Sequence, residues 1–138
     1  MRIDLDTLRA FFASAPFMVD LGTEPVDGSG GRVVTALTLA PRHLQHTGVV
    51  HAGVIGAMAD HTMGAAAQTM ALEGHWVLTA EYKTSLLRAA RGQRLECVGV
   101  VIKPGRQISF TEAEVFAIDG DRRTLVAKAS ATMAVVKA

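Results

Sequence analysis

The sequence predicts an α+β fold in which one long apolar helix packs on a curved antiparallel sheet. Three observations predict it. Residues 51–72 form a stretch of mostly apolar or small residues, too apolar around its circumference for a surface helix. From residue 76 onward, four segments alternate between apolar and polar residues, as strands with one buried face do. The joins between those four segments, RAARG, KPG and DGDRR, are short, which favours antiparallel hairpins in a meander.

The elements follow in chain order. DLDTLRAFFAS (4–14) reads as a short helix capped by Asp4 or Asp6, with Leu8, Phe11 and Phe12 on its apolar side, ended by Pro16. FMVDLGTEPVD (17–27) reads as a first strand and DGSGG (27–31) as a turn. RVVTALTLAP (32–41) reads as a second strand closed by Pro41, followed by a loop over 42–50. The central helix runs over about 51–72, with Gly74 as its stop. The four strands are then WVLTAEYKTSLL, QRLECVGVVIK, RQISFTEAEVFA and TLVAKASATMAVV. With 138 residues and no repeat or linker, the expectation is a single domain over 1–138.

Bulk properties narrow the function classes. The net charge is +1, so bulk attraction to nucleic acid or a membrane surface is not expected. A hydrophobic share of 49% and a mean hydropathy of +0.26 suit a chain that hides apolar surface in an oligomer. Cys97 is the one cysteine, so an internal disulfide is ruled out, which suits a reducing compartment. Asp4, Asp6 and Asp20 interrupt the first twenty residues, so these lack the apolar run of a secretory leader. A cytoplasmic location is expected.

The central helix carries the chemistry. Between Ala52 and Ala67, nine residues are Ala or Gly. An interior glycine costs a helix roughly 1 kcal/mol against alanine, so Gly53, Gly56 and Gly64 need a reason. At about 100° per residue, these three and Ala67 all fall within about 40° of the direction of Asp60. The acid therefore stands in a lane nearly free of side chains. A slender ligand, or a second backbone, fits such a lane. At the start of the helix the N–H groups near Ala52 and Gly53 lack intrahelical acceptors and make a donor-rich, positive end. Gln45 brings an amide donor close by. Oxygen-binding donors combined with a carboxylate two turns along form the layout of an acyl-transfer or hydrolytic site.

Gln45, His51-Ala52-Gly53 and Asp60, at this spacing, resemble the motif of hotdog-fold thioesterases of the PaaI and 4-hydroxybenzoyl-CoA thioesterase branch. APFMVDLG resembles that family's entry strand and KPGRQISFTEAEV its Gly-Arg hairpin, so the likeness spans the chain. It implies a hotdog fold and hydrolysis of acyl-CoA thioesters with an aryl or medium-chain acyl group. It implies Asp60 as general base or nucleophile, the Ala52 N–H and Gln45 as donors to the thioester oxygen, and His51 as the residue that orients the loop or touches the carbonyl. Thr79 matches a position where some members place Ser or Thr near the water. The site is implied to lie at a dimer interface in a homodimer or homotetramer, with no cofactor. The pattern departs from the family in two places: His-Gly-Gly is His-Ala-Gly here, and the Ser or Thr found one turn after the acid in some members is Gly64. The other classes to weigh are a hotdog dehydratase using His51, and a non-catalytic acyl-CoA-binding protein.

The remaining candidates are weighed on geometry. Met63 lies about 60° from Asp60 on the helix, within reach of an acyl group; Gly53 and Gly64 line the lane. Arg88, Arg91, Arg94, Lys103 and Arg106 cluster in two loops and as a group suit coenzyme A phosphates; the resemblance favours Lys103 and Arg106. His43, His46, His51 and His61 do not converge as a metal needs, since His61 turns about 100° from Asp60; no metal is expected. Cys97 alternates with Leu95 and Val101 and reads as packing.

Overall fold

The computed structural model describes residues 4–138 as six antiparallel strands and three α-helices. Helix α1 (Leu5–Ala13) starts at Asp4, whose carboxylate accepts the Thr7 N–H at 2.8 Å. Next come α2 (Pro16–Leu21), β1 (Glu24–Ser29) and β2 (Arg32–Thr38). A 3₁₀ turn at Pro41–His43 leads to α3 (Ala52–Gln68), then β3 (His75–Leu86), β4 (Arg94–Lys103), β5 (Ile108–Asp119) and β6 (Arg122–Lys137).

Three expectations are corrected here. Pro16 ends one helix and begins another: as the first residue of α2 it needs no N–H bond. Gly22 then closes α2 in the left-handed region at φ +95°, its N–H donating to the Met18 carbonyl. The first strand therefore starts at Glu24, not at Phe17. The four later strands are also not one meander. The sheet order is β1-β2-β4-β5-β6-β3. Only β4, β5 and β6 are joined as hairpins, and β3 pairs with β6. The RAARG join carries the chain from the far edge of the sheet to its middle. Gly92 sits there at φ +135°, and a methyl group on it would run into the Ile118 carbonyl, so glycine is required. The central helix also ends four residues early, at Gln68 with Thr69 as its cap.

The inner face of the sheet closes on α3. Leu37, Leu95, Val115, Val126 and Met133 from the strands meet Met58 and Met63 from the helix, all at most 1% exposed. Burying such side chains is worth about 1.5–3 kcal/mol each. Gly99 lets β4 approach the helix closely, since a methyl there would lie 3.0 Å from the Thr62 backbone. Helix α1 lies alongside and covers the opposite flank of α3 through Leu8 and Phe12. Among the described residues, β3 is an edge strand with a partner on one side only.

On the outer face, Trp76, Leu78, Ile102, Ile108, Phe110 and Val136 are exposed, each by more than a third. Cross-strand pairing puts Trp76 beside Val136, and Leu78 beside Ala134 and Ile108, so they form one patch at one end of the sheet.

Candidate active site

Asp60 sits mid-helix and half-buried, facing the edge strand β3 rather than the core. That edge explains how a buried helix carries a carboxylate. Thr79 of β3 donates its hydroxyl to Asp60 Oδ1 at 2.7 Å, which fixes one carboxylate oxygen and leaves Oδ2 for a further donor. The Thr79 hydroxyl is also 3.4 Å from the Met133 sulfur. The carboxylate and hydroxyl together suit binding and deprotonation of a water molecule.

The helix start holds the second group of candidate residues. His51 is the N-cap: its Nδ1 accepts the Gly53 N–H at 2.8 Å. That bond uses the Gly53 donor and leaves Ala52 as the exposed first residue of the helix, with an N–H that no intrahelical carbonyl can reach. Gln45 is half-buried in the preceding loop, and its Oε1 accepts the Thr47 N–H at 3.2 Å. This orients the amide with its NH₂ group turned away, as a donor. A groove of about 310 Å³ runs past Gln45, Ala52 and Ile55 to Leu86 and Arg88 at the far end of β3. A larger cavity, about 660 Å³, lies between α1, α2 and β1, on the opposite edge of the sheet.

The two groups are separated along the helix. Ala52 and Asp60 are eight residues apart, about 12 Å at 1.5 Å per residue. His51 lies one residue further still and makes no pair with Asp60 in the chain.

The lane expected around Asp60 is not uniform. Gly64 is open: a methyl there would meet nothing within 4 Å. Gly53 faces the His51 ring and Gly56 faces Tyr82. Ala67 is buried. Met63 is not brought to the lane, being fully buried in the main core beneath the sheet. Lys103 and Arg106 are exposed at the β4–β5 tip. Gly99 touches α3 at Thr62, and Lys103 lies four strand residues beyond, roughly 13 Å away.

The remaining candidates have structural roles. His43 accepts the Ala40 N–H at Nδ1 and donates from Nε2 to the Leu21 carbonyl, so both ring nitrogens are used within the fold. Burial pushes the Cys97 thiol up to about 12, which keeps it protonated and inert. Among the described residues, no three His, Cys, Asp or Glu side chains come together to hold a metal ion. No helix among them is long and apolar enough to cross a membrane.

His61, next to Asp60, points the other way, between α3 and α1. Its ring stacks on Phe11 at 5.6 Å and meets Phe12 edge-on at 4.6 Å. Its Nε2 is buried without a partner among the described residues. Burial lowers its pKa from 6.5, and the nearby Asp60 charge offsets this only in part. A lowered pKa in the folded state means that the fold favours the neutral ring. Its contribution is complete above the unfolded value and is lost as pH falls through 6.5 toward the folded value. The melting temperature should therefore fall between pH 7.5 and pH 5.5, and His61→Phe should flatten that fall. Equal slopes for the two proteins in calorimetry would remove His61 from the acid response.

Sequence comparison places these features in a known setting. The model of the thioesterase superfamily matches residues 47–124, which include the helix, Asp60 and Thr79. None of the curated proteins matches the chain in sequence. Among solved structures, a thioesterase family protein from Silicibacter pomeroyi is 30% identical, with a TM-score of 0.92 over 95% of this chain and 96% of that one. A thioesterase from Haemophilus influenzae is 21% identical, with a TM-score of 0.88 over 99% and 93% of the two chains. The PaaI protein of the Escherichia coli phenylacetic acid degradation operon is 17% identical, with a TM-score of 0.82 over 92% and 88%. The last two show likeness of fold alone.

Proposed function

Because the chain belongs to the thioesterase superfamily and has its hotdog fold, we propose that it hydrolyses acyl-CoA thioesters, with Asp60 as the base that activates water or as the attacking nucleophile. The observation that carries this reading is the Thr79–Asp60 hydrogen bond at the one carboxylate of the central helix. A thiolate leaving group has a parent pKa of about 8.5, so thiol departure needs no strong acid. One carboxylate and one oxyanion site suffice.

The oxyanion donors are the Ala52 N–H and Gln45. An attacking oxygen and a thioester oxygen lie on the same carbon, so base and donors must converge within about 6 Å, a hydrogen bond from each side. The roughly 12 Å between Ala52 and Asp60 on one helix is too far. Two copies joined antiparallel along the free edge of β3 resolve this, each pairing its Asp60 with the other's Ala52 and Gln45. The exposed Lys103 and Arg106 at the β4–β5 tip supply positive charge for the phosphates of coenzyme A. The acyl group is aryl or medium-chain, and no cofactor takes part. The test is thiol release from a panel of aryl, short, medium and long acyl-CoA thioesters. Release abolished in Asp60→Asn supports the reading; no release by folded wild type overturns it and favours a binding protein.

We further propose a dimer of dimers. The outer-face patch of Trp76, Leu78, Ile108 and Phe110 lies next to the β3 edge, so edge pairing joins two such patches into one apolar surface. A second dimer packed sheet on sheet covers it. Leu78→Lys with Phe110→Glu should give dimers by sedimentation where wild type gives tetramers. Tetramers in both, or dimers in both, would exclude this face.

A further inference from the structure

Tyr82 owes its position to one extra residue in β3. Thr79 pairs with Met133 and Tyr82 with Ala131. Both partners are buried on the inner face of β6. They are two residues apart on β6, yet Thr79 and Tyr82 are three apart on β3, because the register shifts between Thr79 and Glu81. Uniform alternation from Thr79 would turn Tyr82 outward. The bulge turns it inward, onto the same face as the threonine.

The phenol comes to rest against α3 at Gly56. A methyl at that glycine would lie 3.4 Å from the Tyr82 hydroxyl oxygen and 3.8 Å from its Cε2. The ring thus borders the helix at 56 in ordinary van der Waals range, while Tyr82 as a whole stays 48% exposed at the sheet edge. Gly56 is one helical turn before Asp60, about 6 Å along the axis. One turn after Asp60, at Gly64, the space is open. Beyond that, Gln68 ties the helix to the strand: its Nε2 donates to the His75 carbonyl and its Oε1 accepts the Val77 N–H, both at 3.0 Å. The surroundings of Asp60 are therefore asymmetric, with a ring on one side and free space on the other, up to the Gln68 clasp.

We propose that Tyr82 determines acyl-group specificity: its ring walls the lane on the amino-terminal side of Asp60, so that the acyl group of a bound thioester extends over Gly64 toward Gln68. The inference rests on the thioesterase reading of Asp60. The span from Asp60 to Gln68 is eight residues, about 12 Å. It accommodates a single aromatic ring or a medium-length chain and stops a long one.

The experiment measures kcat/KM for acetyl-, hexanoyl-, benzoyl- and dodecanoyl-CoA with wild type, Tyr82→Phe, Tyr82→Ala and Tyr82→Trp. The readout is the ratio of each substrate to acetyl-CoA. Tyr82→Ala removes the wall and raises the dodecanoyl ratio by about tenfold or more. Tyr82→Phe keeps the ring and leaves every ratio within about threefold of wild type. Tyr82→Trp enlarges the ring and lowers the hexanoyl and benzoyl ratios, which keeps the test decisive if the alanine variant does not fold. A common factor across all substrates in the alanine and tryptophan variants overturns the wall. A ratio shift in Tyr82→Phe equal to that in Tyr82→Ala overturns it as well, in favour of a hydroxyl contact. Wild type inactive on all four thioesters is a different failure: the thioesterase reading falls and this inference with it.

Discussion

Asp60→Asn lowers kcat for thioester hydrolysis by roughly 10³-fold or more, the upper part of what a positioned acid or base contributes, and leaves the fold intact. The substitution keeps shape and volume. The asparagine oxygen can still accept the Thr79 hydroxyl that now binds Asp60 Oδ1 at 2.7 Å. What is lost is the negative charge, and with it either the proton acceptor or the nucleophile. The melting temperature should move by only a few degrees, because the position is half-buried at the edge of the sheet and outside the main core. KM should change little, since the carboxylate acts on water or on the carbonyl carbon in the transition state. A variant retaining more than about a tenth of wild-type kcat would assign the chemistry to another group.

Gln45→Ala costs on the order of 10²-fold in kcat, the loss of one oxyanion donor. Its more informative use is in mixture with Asp60→Asn. If each site takes Asp60 from one chain and Gln45 from the other, a mixed dimer holds one site with both lesions and one site with neither. Random reassembly makes about half the dimers mixed, so unfolding and refolding equal amounts together should restore about a quarter of wild-type activity. A site confined to one chain gives no recovery. The 10²-fold loss alone would not distinguish these cases; the recovery does.

Several parts of this arrangement were legible in the sequence, for physical reasons. Ala and Gly around the full circumference of one helix signal burial, and a lone carboxylate among them signals an opening. Both hold at Asp60, where the opening is the edge strand. The Thr79 hydroxyl, named beside the acid on the motif, bonds Asp60, and Gln45 lies in the loop before the helix. Three features were not legible. The run Phe17–Leu21 is too short for helical periodicity to declare itself, and its apolar residues suit a strand equally well. Only the proline at its start and the glycine at its end, the marks of a helix's two termini, speak for α2. The partner of β3 is hidden because a short join favours a hairpin, whereas β3 pairs with β6. Nothing local shows that RAARG crosses the sheet, although Gly92 within it is held in a backbone conformation that suits glycine alone. Tyr82 was missed because alternation, counted from Thr79, assigns it to the outer face. The signal that remained was Gly56, one of the lane glycines that calls for a neighbour on the facing strand.

The bulge at Ala80 makes this strand sensitive to length as well as to composition. Surface loops usually absorb insertions and deletions well, because little packs against them. Here, removing the one extra residue would rotate everything on one side of it by half a turn of the pleat. Either Thr79 would leave Asp60 or Tyr82 would leave Gly56, with no substitution at either position. Relatives of this chain are therefore best aligned along β3 by which residue faces the inner positions of β6, not by counting residues from the helix. Two sequences that match letter for letter around the threonine, but differ by one residue after it, present different walls to the same carboxylate.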